Sequence, residues 1–375
     1  MRGVASMCVA IFHSLIWIPI FEQLTVILPV WQARGAEAVL SKILIGLTHG
    51  TPWVDFFFVL SGFVLARSIG DRPVSLGSWG SFVARRAIRI MPTLFVALVV
   101  MSALLWVRAG FGLFPDAIDG WYPVLHNVRV SWMDLLNSAM LQNNMIIPPA
   151  WSLKVEMIAG AAFPLVYVAS RRLPVSCVVL LTAIWAAAVI SFPTSSNALN
   201  FGYMFVAGIA AARAAPSVSR LSAPLLSICA AVGFMLICIP PIFWGDFGGV
   251  LHSVATCGSA LLVAALANSR PVAGFGWLDS RAARFLGRIS FSFYLLHFGI
   301  MYGTVLALTQ YVEHDVIRAY PLASQVLVAF LSITIAVPLS SLMYRFVEMP
   351  SVLAGKWLLA RSRQSQSLEP SVQSR

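Results

Sequence analysis

The chain has 375 residues, of which 59% are hydrophobic and 10% charged, and its mean hydropathy is +0.85. A soluble domain carries about 25% charged residues, so this composition excludes a soluble globular enzyme, a nucleic-acid-binding protein and a disordered chain. The net charge of +11 does not argue for nucleic acid, because the basic residues sit in short clusters between apolar blocks, which is a topology pattern.

The apolar blocks describe an all-α polytopic membrane protein with about ten transmembrane helices. In chain order they lie near 3–21, 52–67, 91–108, 151–169, 174–192, 200–213, 222–242, 250–268, 288–309 and 321–344. Pro52, Pro92, Pro174 and Pro321 each sit near an expected helix start, where a missing N–H costs nothing. The segments 52–67 and 200–213 are short for a full span. With the N-terminus inside, nineteen of the 25 Lys and Arg residues fall on the inner side, so both termini are expected to be cytoplasmic. The expected location is the inner (cytoplasmic) membrane, crossed many times. The longest outer loop, about 109–150, carries Trp121, Tyr122, Trp132 and a short amphipathic helix near 131–141. Its aromatics suit interfacial anchoring better than sugar stacking. One membrane domain spans 1–350. The tail 351–375 is short, basic and Ser/Gln-rich, and is expected to be disordered. Five cysteines without CxxC spacing read as small hydrophobes.

Ionisable groups inside spans are costly and usually functional. Arg2 and His13 are eleven residues apart, about three helical turns, so they share a face some 16 Å from end to end. That places an arginine at the inner edge and an imidazole near mid-membrane, where a neutral ring can accept a proton; a structural histidine bonded to a neighbouring helix is the competing reading. In Asp55-Phe-Phe-Phe-Val-Leu-Ser61-Gly62, Thr51 can cap the helix and Asp55 suits its first turns, while Ser61-Gly62 permits close helix approach. Arg86 and Arg89 lie on one face and present planar forks suited to phosphate oxygens, although on spacing alone plain positive-inside anchoring explains such a cluster better. Ser152 reads as an N-cap, and Glu156 then falls one position too deep for a capping box. Ser290, Tyr294 and His297 form one polar stripe on an apolar helix. Arg345 and Glu348 can pair with each other. The sequence has no GxSxG elbow, P-loop or HExxH.

Together and in order, RGVA…FH, VDFFFVLSGF, RRAIRIMP, WSLKVE, LGRISFSFYLLH and YRFVEMP resemble the integral-membrane acyltransferase 3 family, over residues 2 to about 350. The resemblance implies O-acylation of a glycan or other hydroxylated acceptor from an acyl-CoA donor, acetyl-CoA by default, with no bound cofactor. It implies a general base at His13, Arg2 as the arginine preceding it, and Arg86 and Arg89 as the pair linked to acyl-CoA. Glu156, Tyr294 and His297 match polar positions of the family. Many members carry a C-terminal hydrolase-like domain, whereas this chain resembles the stand-alone form. Either a separate extracytoplasmic acyltransferase completes the transfer, or the acceptor reaches the membrane site directly. The rival class is a transporter or flippase of a lipid-linked or acylated solute, against which stand the lack of repeats and the clustering of arginines at one mouth.

Overall fold

The computed structural model describes residues 1–18, 26, 28–70, 75–111, 130–245, 248–267 and 270–368. Among these residues the regular structure is entirely helical. The principal helices are α1 (Arg2–Leu15), α2 (Ala36–Thr48), α3 (Gly50–Ile69), α4 (Leu76–Phe111), α5 (Trp132–Ala139), α6 (Trp151–Arg171) and α7 (Val175–Ser191). They continue as α8 (Asn197–Val218), α9 (Ala223–Cys238), α10 (Gly249–Leu266), α11 (Arg281–Tyr311), α12 (Pro321–Met343) and α13 (Met349–Leu368). Eight helical stretches of the described chain are long and apolar enough to cross a membrane, and α1 and α7 are shorter apolar helices. The protein is an all-α polytopic membrane protein.

Several local expectations are corrected. The segments that looked short extend to 20 residues in α3 and 22 in α8. The block 3–21 ends as a helix at Leu15, followed by bends at 16–18. Pro19 explains an early end, because a proline disfavours helical backbone in the residue before it. Pro92 does not start a helix but lies inside the 36 residues of α4. Membrane helices tolerate such a proline inside a bundle; the carbonyl it leaves without a helical donor is that of Ile88, four residues before it. The N-cap of α3 is His49, without a side-chain cap, rather than Thr51. In the outer loop the short helix is present as α5, held by a capping box between Ser131 and Asp134; Trp121 and Tyr122 fall outside the described residues. The tail is helical to Leu368, because α12 runs through a π turn at Tyr344–Glu348 directly into α13. Gly355 then packs that helix against Ile88 of α4, a contact that composition alone does not reveal.

Packing fixes the relative directions of the helices. Gly3 meets Leu286 and Gly287, Ala10 meets Phe293, and His13 meets His297. These contacts advance together, so α1 and α11 run parallel. Gln325 donates to the Ile18 carbonyl and Ala336 packs on Ala10, so α12 runs the opposite way. Helices α3 and α8 touch through glycines: a Cβ at Gly62 would strike the Phe205 carbonyl, and one at Gly208 the Val59 carbonyl. Small residues at such contacts let backbones approach closely where no hydrophobic force drives helices together. The outward residues are apolar, as along α7 at Val179, Leu180, Leu181 and Ile184, which suits contact with lipid.

Candidate active site

Helices α1 and α11 build the centre of the site. His297 is the seventeenth of the 31 residues of α11, so it lies halfway along the longest polar-striped helix. Its Nδ1 stands 2.7 Å from the Tyr294 carbonyl. A carbonyl only accepts, so this nitrogen carries the proton and donates. With both rings neutral, His297 Nε2 is then an acceptor, and it takes the hydrogen bond of His13 Nδ1–H at 3.0 Å. The chain of donation runs from His13 to His297 to the backbone and leaves His13 Nε2 as the ring nitrogen with a lone pair. Both imidazoles are buried, and the Phe298 ring stands edge-on to His13 at 5.5 Å.

Below this pair lies a hydroxyl cluster. The Tyr294 hydroxyl donates to the Pro149 carbonyl at 3.0 Å and lies 2.9 Å from Ser152 Oγ. Ser152 is therefore no cap: α6 begins at Trp151 with Ala150 as N-cap, and the serine is spent on a tyrosine 142 positions away. The Tyr294 ring stands 5.7 Å from that of His297. A narrow cavity of about 40 Å³ extends from here, lined by Tyr294, Ser152, Ser290, Ser61, Glu156 and Arg2.

Charged groups close the other end of that cavity. Arg86 pairs with Glu156 at 2.5 Å, and Ser61 donates to the same carboxylate oxygen at 3.3 Å. Gly160 makes room for this arginine, since a Cβ there would come within 2.7 Å of Arg86 Nε. Arg89 reaches Glu348 at 3.4 Å, and Ser292 donates to the other oxygen of that carboxylate at 2.8 Å. Glu348 thus pairs across the bundle rather than with Arg345, whose guanidinium lies over Phe346. Arg2 interacts electrostatically with all four of these side chains. Three guanidinium groups against two carboxylates leave the mouth net positive. Arg89 is 42% exposed and Arg86 13%, so the first faces outward and the second lines the way in.

The seven residues singled out in the sequence therefore lie in one series of neighbours, with Arg89, Arg86, Arg2 and Glu156 at one end and Tyr294, His297 and His13 at the other; Arg2, Glu156 and Tyr294 line the narrow cavity between. Sequence reasoning missed Ser61, Ser152, Ser292 and Gly160 as parts of it, and it missed the partner of Glu348. Their only local signal is a small or hydroxyl-bearing residue inside an apolar run, which is also the signature of plain helix packing. Among the described residues no group of three or more His, Cys, Asp or Glu side chains is placed to hold a metal ion. Chemically, the arrangement offers a polyanion a net positive mouth, and it offers a hydroxyl an oriented imidazole in a dry pocket.

Comparison with known proteins supplies the reaction class. The sequence profile of the acyltransferase 3 family, an acyltransferase domain, matches residues 1–345. The chain is 31% identical over 338 residues, 81% of each protein, to the acyltransferase MdmB of Streptomyces mycarofaciens. No solved structure is significantly similar. A bundle that brings paired arginines and paired histidines into one series of polar neighbours, and whose sequence matches that profile almost from end to end, belongs to the acyltransferase 3 family of membrane acyltransferases.

Proposed function

We propose that the protein transfers an acyl group, acetyl by default, from cytoplasmic acyl-CoA to a hydroxyl of a glycan or glycolipid. The observation that carries this reading is the series of polar side chains that leads from Arg86 and Arg2 past Glu156 and Tyr294 to His297 and His13. The donor's phosphates bind at the mouth, on Arg86, Arg89 and Arg2, by charge-assisted hydrogen bonds. Arg86 and Arg89 already hold carboxylates, so the donor exchanges partners there. The thin pantetheine arm follows the narrow cavity and brings the thioester toward Tyr294. A hydroxyl enters from the opposite face. His13 Nε2 takes its proton as the oxygen attacks the thioester carbonyl. The C–S bond then breaks, and the thiolate of CoA recovers the proton from His13. Tyr294 turns its one hydroxyl proton from the Pro149 carbonyl to the developing oxyanion, while His297 holds the His13 ring in the tautomer that the step needs. The buried pocket keeps water from the thioester. For acceptors too large to reach the bundle, a separate extracytoplasmic acyltransferase completes the transfer in this proposal.

Two measurements test the reading. Purified protein in nanodiscs, given acetyl-CoA and a cell-surface glycan extract, should release free CoA thiol in proportion to acylated product. A transporter or flippase would release none above background. Mass spectrometry of surface glycans with and without the gene should show the mass shift of one acyl group per modified unit, and no shift of any acyl length would remove the glycan acceptor.

A further inference from the structure

A second pair of ionisable side chains lies in the bundle, apart from the path just described. Asp55 is wholly buried, and His252 Nδ1 stands 2.9 Å from both of its oxygens. The His252 side chain is 23% exposed, so this pair is open where the His13–His297 pair is sealed. Beside it the Tyr203 hydroxyl bonds to Ser253 and Thr256. The Phe201 ring lies 5.0 Å from the imidazole, and the Trp151 ring 5.1 Å from Phe201. Phe58 stands 6.0 Å from both of these rings.

These residues come from four helices and meet at one end of the bundle. Asp55, Trp151, Phe201 and His252 all fall within the first two turns of α3, α6, α8 and α10. Contacts between Phe58 and Phe201, and between Ser61 and Glu156 further along, show that α3 runs in the same direction as α8 and α6. The arginine mouth lies toward the opposite end. Trp151 is followed directly by Ser152, which touches Tyr294. The three rings therefore form the partition between the Asp55–His252 pair and the deep end of the donor path.

A carboxylate at a helix start is ordinary on its own. A carboxylate that fixes an imidazole through Nδ1, where the imidazole is partly exposed and the Phe201 ring stands beside it at 66°, does more. It sets the tautomer and presents Nε2 as a hydrogen-bond acceptor. Aromatic faces beside a few oriented polar groups are the usual make-up of a small-molecule site, and they match a sugar ring, which has apolar C–H faces and hydroxyls at its rim.

We propose that Asp55, His252, Trp151 and Phe201 form the acceptor subsite, which holds a glycosyl ring against the aromatic partition with its reacting hydroxyl turned toward Ser152 and Tyr294. This rests on the glycan-acylation reading above. The test uses intact protein in nanodiscs and a panel of methyl glycosides (hexosides, deoxyhexosides and N-acetylhexosaminides). Glycoside binding is read by saturation-transfer NMR, and acetyl-CoA binding and CoA release are read alongside. At least one glycoside should bind. His252→Gln and Asp55→Asn should each weaken it about tenfold or more and leave acetyl-CoA binding unchanged. Phe201→Tyr should bind normally and Phe201→Leu should not. If no glycoside binds, or if His252→Gln and Phe201→Leu bind like the parent, the subsite is wrong. Where Asp55→Asn fails to fold, which acetyl-CoA binding reveals, the more exposed His252 and the two Phe201 variants decide. Binding that depends on His252 but yields no CoA release would sink the acylation reading and keep the subsite. Glycoside-dependent CoA release with an unchanged KM in His252→Gln would do the reverse.

Discussion

Two imidazoles joined by one hydrogen bond of 3.0 Å divide labour in a way that single substitutions can separate. His13→Ala should abolish transfer, with a loss of about 10²–10⁴ in rate, and leave acetyl-CoA binding intact. His13→Gln should be nearly as inactive, because an amide cannot take the proton; near-normal turnover in that variant would end the role of His13 as base. His297 acts through its neighbour. His297→Leu removes the acceptor for His13 Nδ1–H, and kcat should fall by about ten- to a hundredfold, in line with one lost hydrogen bond to a buried group, with the donor KM unchanged. His297→Gln restores an acceptor and should recover part of the rate; identical kcat values and pH profiles for the Leu and Gln variants would make His297 merely structural. These residues were legible in the sequence because a charged or polar side chain in a long apolar run is conspicuous. Their partners were not. The local neighbourhood pairs Glu348 with Arg345, while the fold pairs it with Arg89, 259 positions away. Ser152 follows two prolines and reads as a cap, yet it serves Tyr294. His252 lies at the edge of its span and carries no local sign that Asp55 faces it.

At the scale of elements, glycine contacts and the arginine pair of α4 make opposite kinds of claim. Gly62 of α3 abuts the backbone of α8, which cannot yield, whereas a Cβ at Gly303 of α11 would stand 3.6 Å from a Leu104 methyl, an ordinary contact. Gly62→Ala should therefore cost about 1–3 kcal/mol by overpacking and lower the thermal midpoint of the purified protein, and Gly303→Ala should not. Equal midpoints for the two variants would contradict the packing described for α3 and α8. Arg86 and Arg89 concern binding instead. Each charge-assisted contact is worth about 1.5–3 kcal/mol, so replacing both with Ala should weaken acetyl-CoA binding about a hundredfold or more in equilibrium measurements. Lysine should rescue poorly because it lacks the planar fork. Normal acetyl-CoA affinity in the double variant would reduce the pair to topology anchors. Most of the helices were readable from hydropathy, although α2 has no block of its own in the sequence reading and α13 falls in the stretch read as tail. Their ends were not, because α4 runs through Pro92 and α13 continues from α12 through a π turn, and neither event leaves a break in the apolar pattern.

For the whole molecule the consequence is sidedness. In the ten-span reading of the sequence, nineteen of the 25 basic residues fall on one side, and the short-loop rule makes that side the expected cytoplasmic one. Tags within 68–84 and after residue 375 should be protected from external label, and tags within 110–130 should be accessible. An externally labelled C-terminus would reverse the path and bring the donor's mouth to the wrong face. The parallel course of α1 and α11 agrees with this scheme, since the first and ninth spans of an alternating bundle must point the same way.

The early end of α1 has a consequence for the chemistry. The helix stops at Leu15, two residues beyond His13, so in the proposed mechanism the residue that takes the proton belongs to the last turn of α1, the negative end of its dipole. The aligned peptide dipoles place about half a negative charge at such an end, worth about 0.3–1 kcal/mol to a nearby cation and up to about 2 kcal/mol in partly buried settings. The backbone therefore supplies part of the counter-charge that a carboxylate provides in other histidine bases. It does so without a proton of its own to lose, and without presenting the incoming hydroxyl with a competing anion. Had α1 run on to the far face of the bundle, the same histidine would sit in mid-helix, where the dipoles on either side cancel.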